Sequence, residues 1–323
     1  MASVITLTTD FGLKGPFVGV MKGAILARLP VAQVVDLTHE IPVHWPIEAG
    51  FWLARSYRYF PAGTVHVAVV DPGVGTARSI IAGEHDGHLF LGPDNGLLQP
   101  VLGTVPARCF RLSETWRQQQ GWPGPSPTFH GRDIFAPLAA ELAAGRLTID
   151  EIGPPAGELI PSLQEEPQAG PHEVRGTVLA IDNFGNLITN IDAALVAGFR
   201  KPEVLAAGHR LALRRTYGDV QPGEFLALIN SFGVLEIARA EGSAAESLGL
   251  GRGAPVFVLN ATRLERRPAR PPSRENRVRE SRAGRGSRRS ALLQRRATRP
   301  PSCSTPPARR ASRRARSRRT SRP

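Results

Sequence analysis

A six-residue apolar run, Val65-His66-Val67-Ala68-Val69-Val70, stops abruptly at Asp71-Pro72, and a turn with Gly73 and Gly75 follows. The run reads as a buried β-strand. Pro72 biases Asp71 toward an extended conformation, and the glycines let the backbone pass close to another group. An acid at the C-terminal end of a buried strand, followed by a Gly-rich loop, is where open α/β sheets place their sites. Arg78 follows closely enough to fold back over Asp71. The same stretch also reads as a strand-end turn with a structural ion pair, so the rest of the chain has to weigh in.

The N-terminus repeats the pattern. Val4–Thr8 is a β-branched run that ends at Thr9-Asp10-Phe11-Gly12. A helix is predicted over Phe17–Leu29, where Val18, Met21, Ala24, Ile25 and Leu29 fall at helical spacing before Pro30. Val34–Leu37 is the next strand. Strand, helix, strand argues for a parallel α/β sheet. The loop Pro42–Pro46, carrying His44 and Trp45, precedes a helix over Ile47–Tyr59. Ser79–Gly83 and His88–Leu91 form a predicted hairpin around Asp86-Gly87. His85 and His88 flank that turn, but no third ligand follows at metal-binding spacing, and no metal is expected.

Asp94, in the loop Gly92–Leu98, reads as a helix cap or as support for a site. The polar, Pro/Gly-rich stretch Gln118–Pro127 is predicted to be a mobile loop. It delivers Thr128-Phe129-His130-Gly131-Arg132-Asp133 to a helix over Ile134–Ala144. His130 is either a satisfied loop histidine or part of a site for a charged substrate at the helix entry.

After a Pro/Gly-rich stretch, Gly153–Pro171, the pattern changes. Short β-runs at Glu173–Ile181, Gly185–Ile191, Arg210–Arg215, Phe225–Ile229, Val234–Ala238 and Val256–Leu259 predict a small all-β barrel or sandwich. Two polar clusters interrupt them, Asp182-Asn183-Phe184-Gly185-Asn186 and Asn230-Ser231-Phe232-Gly233, each with ordinary turn chemistry. Glu236 alternates with Leu235 and Ile237 and reads as a solvent-facing strand residue. The expected organisation is an α/β domain with a central, mostly parallel sheet over residues 1–153, a linker over 154–171, a β-barrel domain over 172–262 and a disordered Arg-rich tail over 263–323.

The net charge of +13 belongs to that tail. After residue 260 there are 22 Arg and three acids, which leaves 19 basic and 25 acidic residues in the body. The body is therefore mildly acidic, and its partners are not to be inferred from the whole chain. The tail reads as a nucleic-acid or membrane-surface segment, or as GC-rich coding DNA translated out of frame. Two cysteines, Cys109 and Cys303, are no disulfide framework. The N-terminus lacks a signal-peptide pattern and no apolar run is long enough to span a bilayer, so a cytoplasmic protein is expected.

Six stretches taken in series carry a resemblance: TTDFG at Thr8–Gly12, VVDPGVGTAR at Val69–Arg78, GPDNGLL at Gly92–Leu98, FHGRDIF at Phe129–Phe135, IDNFGNLITN at Ile181–Asn190 and INSFGVLEIA at Ile229–Ala238. Together they resemble the S-adenosyl-L-methionine hydroxide adenosyltransferases, the adenosine-forming S-adenosyl-L-methionine hydrolases, which are homologous to fluorinase and chlorinase. The likeness covers roughly Val4–Leu259 and excludes the tail. It implies a homotrimer with substrate between the N-terminal domain of one subunit and the barrel of its neighbour. The implied reaction is S-adenosyl-L-methionine plus water giving adenosine and L-methionine, with no cofactor. The family's water-handling Asp, Arg and His match Asp71, Arg78 and His130. Asp10 is expected on the ribose hydroxyls and Trp45 against the sugar. Asp182 is expected on the methionine ammonium, Asn186 on the adenine edge and Ser231 at the methionine end. Halogenating relatives have a Tyr where this chain has Asp71, which favours water over halide. A chlorinase-like halogenase, and a nucleoside- or nucleic-acid-binding protein acting through its tail, are the alternatives.

Overall fold

The computed structural model describes residues 3–260; the tail predicted over 263–323 lies outside the described residues. The N-terminal part is built on a six-stranded sheet. In chain order its strands are β1 (Val4–Thr9), β2 (Gln33–Thr38), β3 (Val65–Val69), β4 (Ile80–His85), β5 (His88–Pro93) and β6 (Arg108–Arg111), and in space they run β2-β1-β3-β5-β4-β6. The pairings β1–β2, β1–β3 and β3–β5 are parallel, whereas β4 is antiparallel to both β5 and β6. The sheet is thus mixed. The antiparallel step comes from the predicted Asp86-Gly87 hairpin, whose two residues take φ 49° and 75°, the left-handed pair that a two-residue hairpin requires.

Helices cover both faces. Helix α1 (Phe17–Arg28) buries Val18, Met21 and Ile25, as its spacing predicts, while α2 (Pro46–Ser56) buries Phe51 and Leu53 on the other side. Short helices α3 (Gln99–Leu102) and α4 (Glu114–Gln119) precede α5 (Ala136–Ala143). One core joins α1, α5 and the inward face of β1 and β3; a second lies under α2 and α3. Each fully buried large aliphatic in these cores is worth about 1.5–3 kcal/mol. The helix predicted from Ile134 is preceded by a π-helical turn, Gly131–Phe135.

Other expectations are revised. The stretch Gln118–Pro127 is tied down: buried Arg117 bonds Glu114 and the Pro123 carbonyl, and Trp122 packs edge-on against Trp116. Asp94 caps no helix. It accepts from Arg111 Nη1 at 2.6 Å and from the Ile160 backbone N–H at 2.9 Å, fastening the chain after Gly153 to the sheet edge. His88 turns inward, with Nδ1 3.1 Å from Nε2 of His66, whose Nδ1 meets Thr6 Oγ1 at 2.8 Å. Burial pushes His66 down to about 3, so it sits neutral in the core. Cys109 is buried, its thiol pushed up to about 12 by burial, and makes an inert core residue.

The C-terminal part is a closed ring of seven strands. These are β8 (Glu173–Ile181), β9 (Leu187–Asp192), β10 (Pro202–Ala206), β11 (His209–Arg214), β12 (Phe225–Ile229), β13 (Val234–Arg239) and β14 (Pro255–Asn260), ordered β14-β10-β11-β12-β13-β9-β8 and closed by β14–β8; the two-residue β7 (Gln168–Ala169) adds to β8. Strand β10 is absent from the sequence reading because Pro202 and a run of alanines dilute its β-branched signal. Both parts belong to one compact unit. They meet where Phe51 packs on Leu179, Ala180, Ile188 and Val234. Arg55–Asp192 at 2.7 Å and Arg252–Glu48 at 2.5 Å bridge the same seam. Among the described residues no helix is long and apolar enough to cross a membrane.

Candidate active site

Strands β1 and β3 are parallel neighbours, so the residues that follow them emerge side by side. Thr9 pairs with Val69, which places Asp10 and Asp71 at one edge of the sheet. Asn95 Nδ2 donates to the Val70 carbonyl at 2.8 Å and fixes the end of that strand. Beyond it the turn closes with Val74 N–H on Asp71 O and Thr76 N–H on Gly73 O. Gly75, at φ 76°, lies against the Pro127 carbonyl, where no Cβ fits. The Gly-rich loop and the Pro-rich stretch before His130 therefore pack together, and that contact carries His130 to Asp71.

Arg78 folds back as its position suggested. Its Nε lies 3.0 and 2.9 Å from the two Asp71 oxygens, and Nη2 also bonds Oδ2. The same Nη2 reaches His130 Nδ1 at 2.8 Å. These side chains are shielded, with Asp71 5% and Arg78 11% exposed. A guanidinium only donates, so His130 Nδ1 accepts and the neutral ring carries its proton on Nε2. Burial, reinforced by the Arg78 charge, holds His130 below the usual imidazole range.

Asp71 and His130 line a cavity of about 290 Å³; Arg78 stands behind them, off its lining. Asp10 shares the cavity and accepts from the His44 backbone N–H at 2.9 Å. Val43, His44, Phe11, Phe17 and Phe129 complete much of the wall. The three Phe rings meet edge-to-face at 5.3–6.3 Å between centroids. Sequence reasoning did not single out these walls. His44 had one available signal, its place between Pro42 and Pro46, and it takes φ 61°, a strained geometry that clusters at functional sites. Trp45 does not line the cavity; it stands at the start of α2, 41% exposed.

Asp182 and Ser231 lie elsewhere. They open on a barrel cavity of about 370 Å³ with Trp52, Arg215, Tyr217, Asn230, Phe232 and Glu236. Asn186 is buried beside it, its Nδ2 donating to Asp182 at 2.9 Å. Glu236 corrects the sequence reading: it is 3% exposed. The two cavities share no lining residue. Among the described residues no three His, Cys, Asp or Glu side chains gather as a metal site.

Residues 5–153 match the SAM hydroxide adenosyltransferase N-terminal domain, and residues 176–257 match the C-terminal domain of the same family. A curated relative from Thermus thermophilus, named (R)-S-adenosyl-L-methionine hydrolase, is 41% identical over 256 residues, covering 78% of this chain and 97% of its own. A fluorinase from Nocardia brasiliensis is 28% identical over 301 residues, covering 79% and 96%. Among solved structures, an uncharacterized conserved protein from Thermotoga maritima superposes with a TM-score of 0.73 at 34% identity, covering 79% of this chain and 99% of that one.

Proposed function

The chain belongs to the SAM hydroxide adenosyltransferase family, and from that premise we propose that it hydrolyses S-adenosyl-L-methionine, in the (R) form named for its relatives, to adenosine and L-methionine. The observation that carries the mechanism is Asp71 and His130 at the floor of an aromatic-walled cavity, both bonded by Arg78 from behind.

The substrate's sulfonium leaves as a neutral thioether, so the reaction needs no acid at sulfur. A water oxygen attacks the ribose 5′-carbon, the C5′–S pair passes to sulfur, and one proton must be taken from the water. Arg78 has no lone pair and His130 Nδ1 has already committed its own. Asp71 is the remaining acceptor, since a carboxylate offers about four lone-pair sites and Arg78 approaches through only two nitrogens. Asp71 thus orients the water and takes its proton. His130 Nε2–H donates to the hydroxide-like oxygen, and Arg78 braces both groups. Holding the water in line supplies the rest of the acceleration. No cofactor is required by this chemistry.

The same carboxylate opposes the halogenase reading. Two like charges about 4 Å apart repel by about 4 kcal/mol in a partly screened site, so Asp71 disfavours a halide where a neutral phenol would not.

The roles of Asp10, Asp182 and Ser231 follow the cavities, and those of Asn186 and Trp45 follow the family resemblance. Asp10 takes the ribose hydroxyls and Trp45 the sugar, while Asp182, Asn186 and Ser231 serve the methionine and adenine ends. We propose a homotrimer in which the α/β part, residues 1–153, of one subunit faces the barrel, residues 172–262, of the next. Two observations support it. The catalytic cavity, about 290 Å³, is at the lower limit for a small-molecule site, and two of the predicted binding residues, Asp182 and Ser231, line a separate cavity.

Incubating the full chain with the (R) and (S) substrate forms, with and without chloride, tests the reading. Adenosine and methionine formed independently of halide support it. A chloride-dependent 5′-chloro nucleoside would overturn it.

A further inference from the structure

The barrel cavity holds a charge that the hydrolysis mechanism leaves unused. Glu236, on β13, is 3% exposed and faces the same cavity as Asp182. Its oxygens accept from Tyr217 Oη at 2.6 Å and Asn230 Nδ2 at 3.2 Å, both neutral donors. Among the described residues no Lys, Arg or His pairs with it. Asp182 is held in the same way, by the Phe184 and Asn186 backbone N–H groups and by Asn186 Nδ2, each at 2.9 Å. Beyond Trp52, the nearest acid on α2 is Glu48, already neutralised by Arg252. Arg215 is the one cationic side chain among the lining residues.

A buried carboxylate is stable only when paired or amply hydrogen-bonded. Buried Glu236 and half-buried Asp182 around one cavity, with no cation on either, ask for a cation from outside. We propose that Glu236 is a specificity-determining residue for the hydrolase reaction, taking the α-ammonium of the substrate's amino-acid end together with Asp182, with Tyr217 holding it in position. The inference rests on the hydrolase reading and adds a residue to it. The charges correspond: the lining offers two acids and one Arg, and the substrate offers an ammonium and a sulfonium against one carboxylate. Arg215 faces that carboxylate.

The titration of Glu236 gives the test a second readout. Burial pushes it above the usual carboxylate range; the Tyr217 and Asn230 hydrogen bonds pull it down, and the Asp182 charge pushes it up. The groups facing it are therefore Asp182, Tyr217, Asn230 and Arg215. An ammonium binds the ionised carboxylate, so kcat/KM climbs as pH rises through the raised Glu236 value.

The experiment measures adenosine release by the full chain across pH, from S-adenosyl-L-methionine and from its analogue lacking the α-amino group. In Glu236→Gln, kcat/KM for the amino substrate is expected to fall about 10- to 100-fold, mainly through KM, as lost ground-state binding of a charge-assisted pair does. The preference for the amino substrate collapses, and the acidic limb disappears. Tyr217→Phe keeps the carboxylate and removes a bond that favours its charged form, so the limb moves to higher pH; this variant carries the test where Glu236→Gln fails to fold. An unchanged KM and an intact preference in a folded Glu236→Gln overturn the assignment and leave the hydrolase reading standing. No adenosine from the wild-type chain overturns the reading and the assignment with it.

Discussion

The cavity at Asp71 and the barrel cavity treat shielded charge in opposite ways. Around Asp71 the protein supplies the counter-charge itself: Arg78 grips both oxygens and donates from Nη2 to His130 as well. Around Asp182 and Glu236 it supplies only neutral donors. The first arrangement is fixed before substrate arrives, as the proposed role of orienting and deprotonating a water requires. The second is incomplete until a cation enters, as suits a group that selects a substrate. On the proposed reading, pairing within the protein marks the chemistry, and pairing left to the ligand marks recognition.

The largest expected effect comes from Asp71→Asn, which keeps shape and removes the proton acceptor. Steady-state kinetics should show kcat lower by about 10³- to 10⁴-fold, the upper part of the range for a positioned base. Arg78→Lys replaces a planar fork with a point charge that cannot span both oxygens and the imidazole. Its kcat should fall by about 100-fold, as when one preorganised donor is lost. Chemical denaturation without substrate sharpens the contrast, because the two sites should respond with opposite sign. Asp71→Asn strands the shielded Arg78 charge and is expected to destabilise by about 3 kcal/mol. Glu236→Gln removes an uncompensated acid and is expected to be neutral or stabilising by about 1 kcal/mol. The smallest effect concerns assembly. Inactive Asp71→Asn and Asp182→Ala chains, refolded together, should recover about one-quarter of wild-type activity, because random mixing in a closed ring joins an intact catalytic half to an intact barrel half at that fraction of interfaces. Recovery of none would place both halves of each site in one subunit.

Much of the catalytic floor could be read from the chain. Asp10 and Asp71 close β-branched runs at Gly- or Pro-containing turns, and parallel pairing brings such strand ends together without help from the rest of the fold. The Arg78 return is local, and His130 at a helix entry was visible as a motif. The barrel side was less legible. Alternation along β13 gave the right face for Glu236 but the wrong environment. Leu235 and Ile237 do fill the barrel interior, and Glu236 does point outward with Val234 and Ala238. That outer face is covered, by Phe51 packed on Val234 and by Val220 packed on Ala238, while Tyr217 reaches the carboxylate itself. These segments lie far apart in sequence, and a period of two does not report what packs on the outside of a strand. His44 was named with its loop but given no place at the site, for a similar reason: its position depends on a backbone angle and a bond to Asp10, neither of which its neighbours encode. The π-helical turn after His130 has no hydrophobic period that separates it from the α-helix it joins.

The most direct test of the central claim is turnover in ¹⁸O-labelled water, read by mass spectrometry of both products. Attack of an Asp71-held water on the 5′-carbon places one labelled oxygen in adenosine and none in methionine. Unlabelled adenosine, or label in the amino-acid product, would contradict the account.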